Sequence, residues 1–452
     1  MNSLSNFKFP IFQFFLVNYL IFNSWILSVS NYYEQLNFSN LISKKPIWLY
    51  VLIVNLFISL LIFFKKLKMS HSPIFYILGF IFFQLVQKIN IPVIYFWETI
   101  PDARTYKSLG ESLFTCGKLQ LNCNGENFLQ WPIGQPIISG FLSSYFYEFA
   151  PYFYILFFSI SVYVALSVSF KKFGNWYHFG AASFFLMQNN YEITMFIISE
   201  VPYLLFSALG LYFLFYKNHN ASLLFFILSV LIRPIGIVNI FGYLLFLLLL
   251  KKYKRLNISL LIIFISFILI MTYNKVNYDQ FVFSETVSTN IRNDSLVKNS
   301  DTRDFIFNTF TKENLTFVKG NIQRLYGPGS RDCVFEYCTF YNPLFTEEGT
   351  APNFIPRNTV MGYTFIKVIS ELFKIGSPLG VWVYLPLLYL LLLRRRDQYT
   401  NLIIFLFFSN IALSVLTAEY GSRWWLMPNL LSIYLFSNLI YKIFNKLTTR
   451  IT

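Results

Sequence analysis

Long apolar runs separated by short polar turns make up most of the chain, and stretches such as Leu244 to Leu250 and Leu385 to Leu393 hold no charged residue at all. Runs near 11–30, 47–64, 74–97, 151–170, 176–190, 196–216, 221–232, 235–250, 258–273, 377–393, 401–417 and 425–444 approach the roughly 20 apolar residues that carry a helix across a bilayer. The pattern predicts an all-α polytopic membrane protein with about twelve transmembrane helices. The run at 221–232 is short for a span, which predicts tilting, partial burial or a broken helix there. Ile11 to Ser30 is too long for the core of a cleavable signal and has no small-x-small site, so it is expected to stay as a span.

Between the runs, the polar residues are distributed unevenly. Two long polar segments stand out, from about Glu98 to Gly134 and from about Asn274 to Gly376. Basic residues instead gather in short turns: Lys65, Lys66 and Lys68; Lys171 and Lys172; Lys251, Lys252, Lys254 and Arg255; Arg394, Arg395 and Arg396; Lys442, Lys446 and Arg450. Threading the runs from a cytoplasmic N-terminus puts every one of these clusters on the cytoplasmic side, where Lys and Arg accumulate, and both long segments outside. The formal charge of +15 therefore reads as a record of topology and not as a nucleic-acid surface. Only 13% of residues are charged while 56% are apolar, too little charge to solvate a soluble protein of this size. The chain thus divides into two N-terminal helices (1–70), a helical core (71–273) with the first outer loop at 98–134, a large outer loop or small subdomain (274–376), and C-terminal helices (377–452).

All four cysteines fall in the outer segments: Cys116 and Cys123 in the first, Cys333 and Cys338 in the second. An even count on the non-cytoplasmic side fits two local disulfides, with four free thiols as the alternative. Zinc fits poorly, since His71, His178 and His219 lie near neither pair.

A few polar residues sit where chemistry is expected. Asp102 follows a span and opens an amphipathic pattern through Leu109, Leu113 and Leu119. An interfacial helix of this kind can present a carboxylate at headgroup level, where it can act as a general base; a helix start or a solvated loop acid explains Asp102 equally well. Glu200, in Ser199-Glu200-Val201-Pro202, and Glu192, in the turn before it, are acids at the outer end of a span. Such groups are usually paired or functional, or else they complement a helix dipole. Arg233 lies between two apolar helices in Arg233-Pro234-Ile235-Gly236, and Arg423 stands beside Trp424 and Trp425. A guanidinium can hold a phosphate through two parallel hydrogen bonds; Arg423 also suits an interfacial anchor or a salt bridge to Glu419. The 55 Phe and 31 Tyr are read as lipid-facing bulk, with Trp131 the one aromatic set apart. There is no phosphate-cradling glycine loop and no HExxH motif.

In order, Asp102 with Tyr106, the block Trp131-Pro132-Ile133-Gly134-Gln135-Pro136, Ser199-Glu200, Arg233-Pro234-Ile235-Gly236 and Arg423-Trp424-Trp425-Leu426-Met427-Pro428 resemble the GT-C membrane glycosyltransferases. The likeness is to the branch of the protein O-mannosyltransferases and the lipid A aminoarabinose transferase. It covers about 70–255 well and 400–440 loosely. It implies transfer of a sugar from a polyprenyl-phosphate-linked donor to a glycan, lipid or protein acceptor on the periplasmic or lumenal face. Asp102 would be the base, and Tyr106, Trp131, Glu192, Glu200, Arg233 and Arg423 would bind substrate. The first acid has no acidic neighbour (Asp102-Ala103), so the sequence supports no divalent cation and no metal ligand is assigned. The expected location is a bacterial inner membrane ahead of the endoplasmic reticulum. Sequons at Asn293 and Asn314 outside, and at Asn220 and Asn257 inside, do not separate the two. An O-antigen-type polymerase or ligase is the first alternative, marked by paired arginines in the outer loops. A transporter or flippase is the second, marked by midplane charges and repeated halves.

Overall fold

A computed structural model describes residues 72–88, 91–120, 132–187, 194–284, 397–416 and 426–451, together with 53, 57 and 123. Of these residues 86% are helical, and none forms a strand. In chain order the helices are α1 (Ser72–Lys88), α2 (Val93–Glu98), α3 (Pro101–Cys116), α4 (Gly134–Tyr145), α5 (Ala150–Phe173), α6 (Tyr177–Met187), α7 (Glu200–Phe215), α8 (His219–Ile232), α9 (Ile237–Leu249), α10 (Tyr253–Tyr278), α11 (Gln398–Leu416) and α12 (Leu426–Ile451). The contacts described below lie within one compact unit, built from Met1–Ser284, Glu371–Ile411 and Gly421–Thr452. A second unit, Glu285–Ser370 with Ala412–Tyr420, contributes only the last turn of α11 to the described residues.

Local chemistry sets most helix boundaries. The apolar run at 74–97 is not one continuous helix: α1 runs to Lys88, and Pro92 stands just before the separate short α2. α3 starts with Pro101 at its first position and stops at Gly117, which takes the left-handed conformation (φ 72°) open to a residue without Cβ. The amphipathic pattern expected to run through Leu119 therefore ends as helix at Cys116. Leu119 rejoins Leu109 only because the chain turns back, and the two pack with Tyr278 of α10. α8 stops at Ile232, where Arg233 is extended (φ −145°, ψ 134°) and Pro234 opens one turn of 3-10 helix before α9. Proline lacks an N–H and disfavours helical geometry in the residue before it, so the break follows directly from the sequence.

Two helical segments among the described residues, Tyr147–Phe173 and Tyr253–Tyr278, are long and apolar enough to cross a membrane. α5 is packed into the molecule, with Tyr154, Phe158 and Leu166 fully buried. It contacts α1, α6, α7 and α12. α10 is different. Leu260, Leu261, Phe264, Ile265 and Leu269 are exposed along it, and only Ser259, Asn274 and Tyr278 are buried. An apolar face of this extent needs a cover. Polar side chains stitch the packed helices together: Tyr76 to His178 Nδ1 at 2.9 Å, Tyr203 to Asn410 at 3.0 Å and Asn239 to Ser207 at 2.8 Å.

Candidate functional site

The site is built where the start of α7 meets the break between α8 and α9. Glu200 is the first residue of α7, so its carboxylate faces the positive end of a helix dipole. Arg233 Nη1 lies 2.6 Å from Glu200 Oε1, and both side chains are less than a tenth exposed, at 9% and 5%. An arginine this deeply buried needs a counter-charge, and Glu200 supplies it. The hairpin that makes the meeting possible is tight. Asn218 caps α8 through a bond from Ala221 N–H, and a Cβ on Gly236 would collide with the Ser229 backbone.

The second half of the site comes from α3. Tyr106, buried in the interior, donates its hydroxyl to Ser199 Oγ at 3.1 Å, and Ser199 Oγ in turn faces Glu200 Oε2 at 3.4 Å. Ser199 occupies the N-cap position of α7 without capping it, because its hydroxyl serves this chain of contacts. Burial, followed by the charges of Asp102 and Glu200, pushes the Tyr106 phenol well above its ordinary value, against the Arg233 guanidinium and the Ser199 hydrogen bond. Tyr106 is therefore a neutral hydrogen-bond donor at physiological pH. Asp102 lies one turn earlier on α3, in its first turn, and is partly exposed. The structure thus gathers Asp102, Tyr106, Glu200 and Arg233 around one locus. Both oxygens of Glu200 are engaged, so its role there is to hold Arg233 and receive the Tyr106–Ser199 chain.

α4 holds α3 in place. Gly110 and Gly140 let the two backbones meet, since a Cβ on Gly110 would strike Gly140 N and Pro136 O. Ser139 Oγ donates to the Tyr106 carbonyl at 2.6 Å. Gly134, in the proline block, abuts the Leu231 carbonyl two residues before Arg233. At the far end of α3, Leu119 N–H donates to the Tyr278 hydroxyl at 2.7 Å. Cys116 and Cys123 are joined by a disulfide with Cα atoms 5.7 Å apart. Trp131, Glu192, Arg423, Cys333 and Cys338 lie outside the described residues.

Several members of the site carry no sequence signal of their own. Ser199 reads only as the residue before Glu200, and Tyr154 reads as one aromatic among many. Yet the Tyr154 hydroxyl accepts from Gln135 Nε2 at 2.7 Å in a fully buried setting. A polar-tipped aromatic repeated at the buried positions of an apolar run would have been the signal for Tyr154. Among the described residues no group of three His, Cys, Asp or Glu side chains gathers as a metal site. Comparison with protein-family models, with curated proteins and with solved structures finds no match to this chain.

Proposed function

We propose that the chain is a polytopic membrane glycosyltransferase of the GT-C kind, moving a sugar from a polyprenyl-phosphate donor to an acceptor on the non-cytoplasmic face of a bacterial inner membrane. The observation that carries this reading is the gathering of Asp102, Tyr106, Glu200 and Arg233 from three separate segments. In the step proposed, the acceptor oxygen bonds to the anomeric carbon while the bond from that carbon to the phosphate oxygen breaks. The acceptor proton passes to the Asp102 carboxylate, and the electron pair leaves with the phosphate. Arg233 meets the charge developing on that phosphate, and Glu200 fixes the guanidinium in place.

Helix lengths suit such a donor. α7 has 16 residues and α8 has 14, rising about 24 Å and about 21 Å at 1.5 Å per residue. Both fall short of the roughly 30 Å hydrocarbon core. With the Lys217 and Lys251 turns at the inner boundary, Glu200 and Arg233 lie about 6 Å or more inside the outer one. A lipid phosphate approaching from the bilayer reaches that depth with its tail still in hydrocarbon.

The test is Asp102→Asn, with transfer of radiolabelled sugar from a polyprenyl-phosphate donor as readout. Turnover should fall about a hundred- to ten-thousand-fold with expression and insertion unchanged. Near-normal transfer would remove Asp102 as the base and favour the polymerase or ligase reading. A transporter or flippase draws on one specific observation, the buried Arg233–Glu200 pair at a helix break, a place where transporters put their sites. Substrate uptake into proteoliposomes without any transfer product would establish that reading instead.

A further inference from the structure

The turn joining α9 to α10 forms a second site, unrelated to Asp102. Lys251 is held in the left-handed conformation (φ 56°), its N–H bonded to the Leu248 carbonyl at 2.9 Å and that of Lys252 to the Leu247 carbonyl at 3.0 Å. This tight helix end crowds Lys251, Lys252, Lys254 and Arg255 onto the start of α10, where the helix dipole adds further positive potential. Cations in the neighbouring basic turn are already matched. Lys171 stands 3.5 Å over the Tyr216 ring, and Lys172 is 3.6 Å from Asp397. Among the described residues no carboxylate pairs with any of the four cations of the α9–α10 turn. Lys252 Nζ lies 3.0 Å from His219 Nε2, a contact that requires a neutral, accepting imidazole and brings no negative charge.

These residues border an open groove. Lys251, Lys252, Tyr253, Lys254, Arg255 and Ile258 line this groove, whose space is about 490 Å³ and opens to the outside. Its one aliphatic wall, Ile258, starts a stripe of exposed apolar residues on α10 that continues through Leu261, Ile262, Ile265 and Leu269. We propose that this open groove binds the headgroup of an anionic phospholipid, whose acyl chains lie along that stripe. Unmatched cations select an anion, and the continuous apolar stripe selects an anion attached to hydrocarbon. Tyr253, exposed between the two, occupies the boundary position that amphipathic aromatics favour. The proposal uses the lipid-facing reading of α10 but not the sugar-transfer reading, so the two fail separately.

The experiment is native mass spectrometry of the full chain, delipidated in detergent and titrated with phosphatidylglycerol, with phosphatidylcholine of the same acyl chains, or with inorganic phosphate. Phosphatidylglycerol should bind saturably and at least ten-fold more tightly than phosphatidylcholine, and phosphate should displace it poorly. The double substitution Lys254→Gln, Arg255→Gln should weaken phosphatidylglycerol about thirty-fold, from the contribution of each basic residue near a membrane surface. The charge-matched control Lys171→Gln, Lys217→Gln should leave it unchanged. Equal loss in both variants would overturn the proposal in favour of diffuse charge. Full displacement by phosphate would make this a free-anion site, and parity with phosphatidylcholine would remove the headgroup from recognition altogether. Should a variant fail to fold, the comparison of lipids on the unmodified chain decides the matter.

Discussion

Glu200→Gln and Arg233→Met, made singly and together, interrogate the pair on which the candidate site depends. The contact is 2.6 Å between Arg233 Nη1 and Glu200 Oε1, with the two side chains 9% and 5% exposed. Charges about 4 Å apart attract by about 4 kcal/mol at the effective dielectric constant of roughly 20 that describes real protein sites. Removing one partner takes from the other its 2.6 Å counter-charge, at about 3–5 kcal/mol for such buried pairs. Glu200→Gln keeps an acceptor near Arg233 and belongs at the lower end, about 3 kcal/mol. Arg233→Met takes the guanidinium away from the buried Glu200 carboxylate, so its effect is of similar size. The double variant removes both charges together and should be little worse than either single, giving an interaction free energy of about 2–3 kcal/mol. The assay is reversible unfolding of each purified variant by SDS in mixed micelles, followed by tryptophan fluorescence. An interaction free energy no larger than about 0.6 kcal/mol, the mean for ordinary interhelical hydrogen bonds in membranes, would show that the pair is not the centre of the site.

Other outcomes follow from the elements that hold α3. Gly110→Ala should destabilise the fold by about 1–3 kcal/mol or more in the same unfolding assay, since the new methyl meets the Gly140 and Pro136 backbone; a neutral result would mean that the two backbones do not touch. Tyr278→Phe strands the buried Leu119 N–H, at about 1–3 kcal/mol, and amide exchange should quicken over residues 117–120 while α5 is unchanged. Cys116 and Cys123 should resist maleimide until a reductant is added. Replacing both by Ser should lower stability by about 2 kcal/mol, the loop-closure value for so short a loop; labelling without reductant would rule out the bridge.

What the sequence makes legible is local. Pro101 and Gly117 mark the limits of α3, Pro234 marks the break after Arg233, and the acids Asp102 and Glu200 are visible as polar residues at helix starts. Each of these depends on backbone rules that act within a few residues. Partnership is not legible. Arg233 invites a phosphate reading from sequence alone, but that its guanidinium is held by Glu200 shows only in the structure, since the pairing is fixed by the α7–α8 hairpin. Gly110 and Gly140 look like ordinary small residues, because the backbone each admits belongs to another helix. Leu119 fits a helical period in the sequence yet packs from a turn. The apolar period reports which residues are buried but not which side chain meets them.

The bond from Leu119 N–H to Tyr278 spans 159 residues, and this separation has a consequence in time. Ribosomes deliver about 5–20 residues per second, so α3 exists for roughly 8–30 seconds before its anchor on α10 has been synthesised. Glu200 and Arg233 emerge within that interval, so the buried ion pair can close before the segment after Cys116 is pinned. Assembly is thus staged: the charged centre first, and the turn that follows α3 last. A nascent chain arrested just short of Tyr278 should already contain the ion pair while leaving the segment after Cys116 open to protease, and extending it past Tyr278 should close that segment.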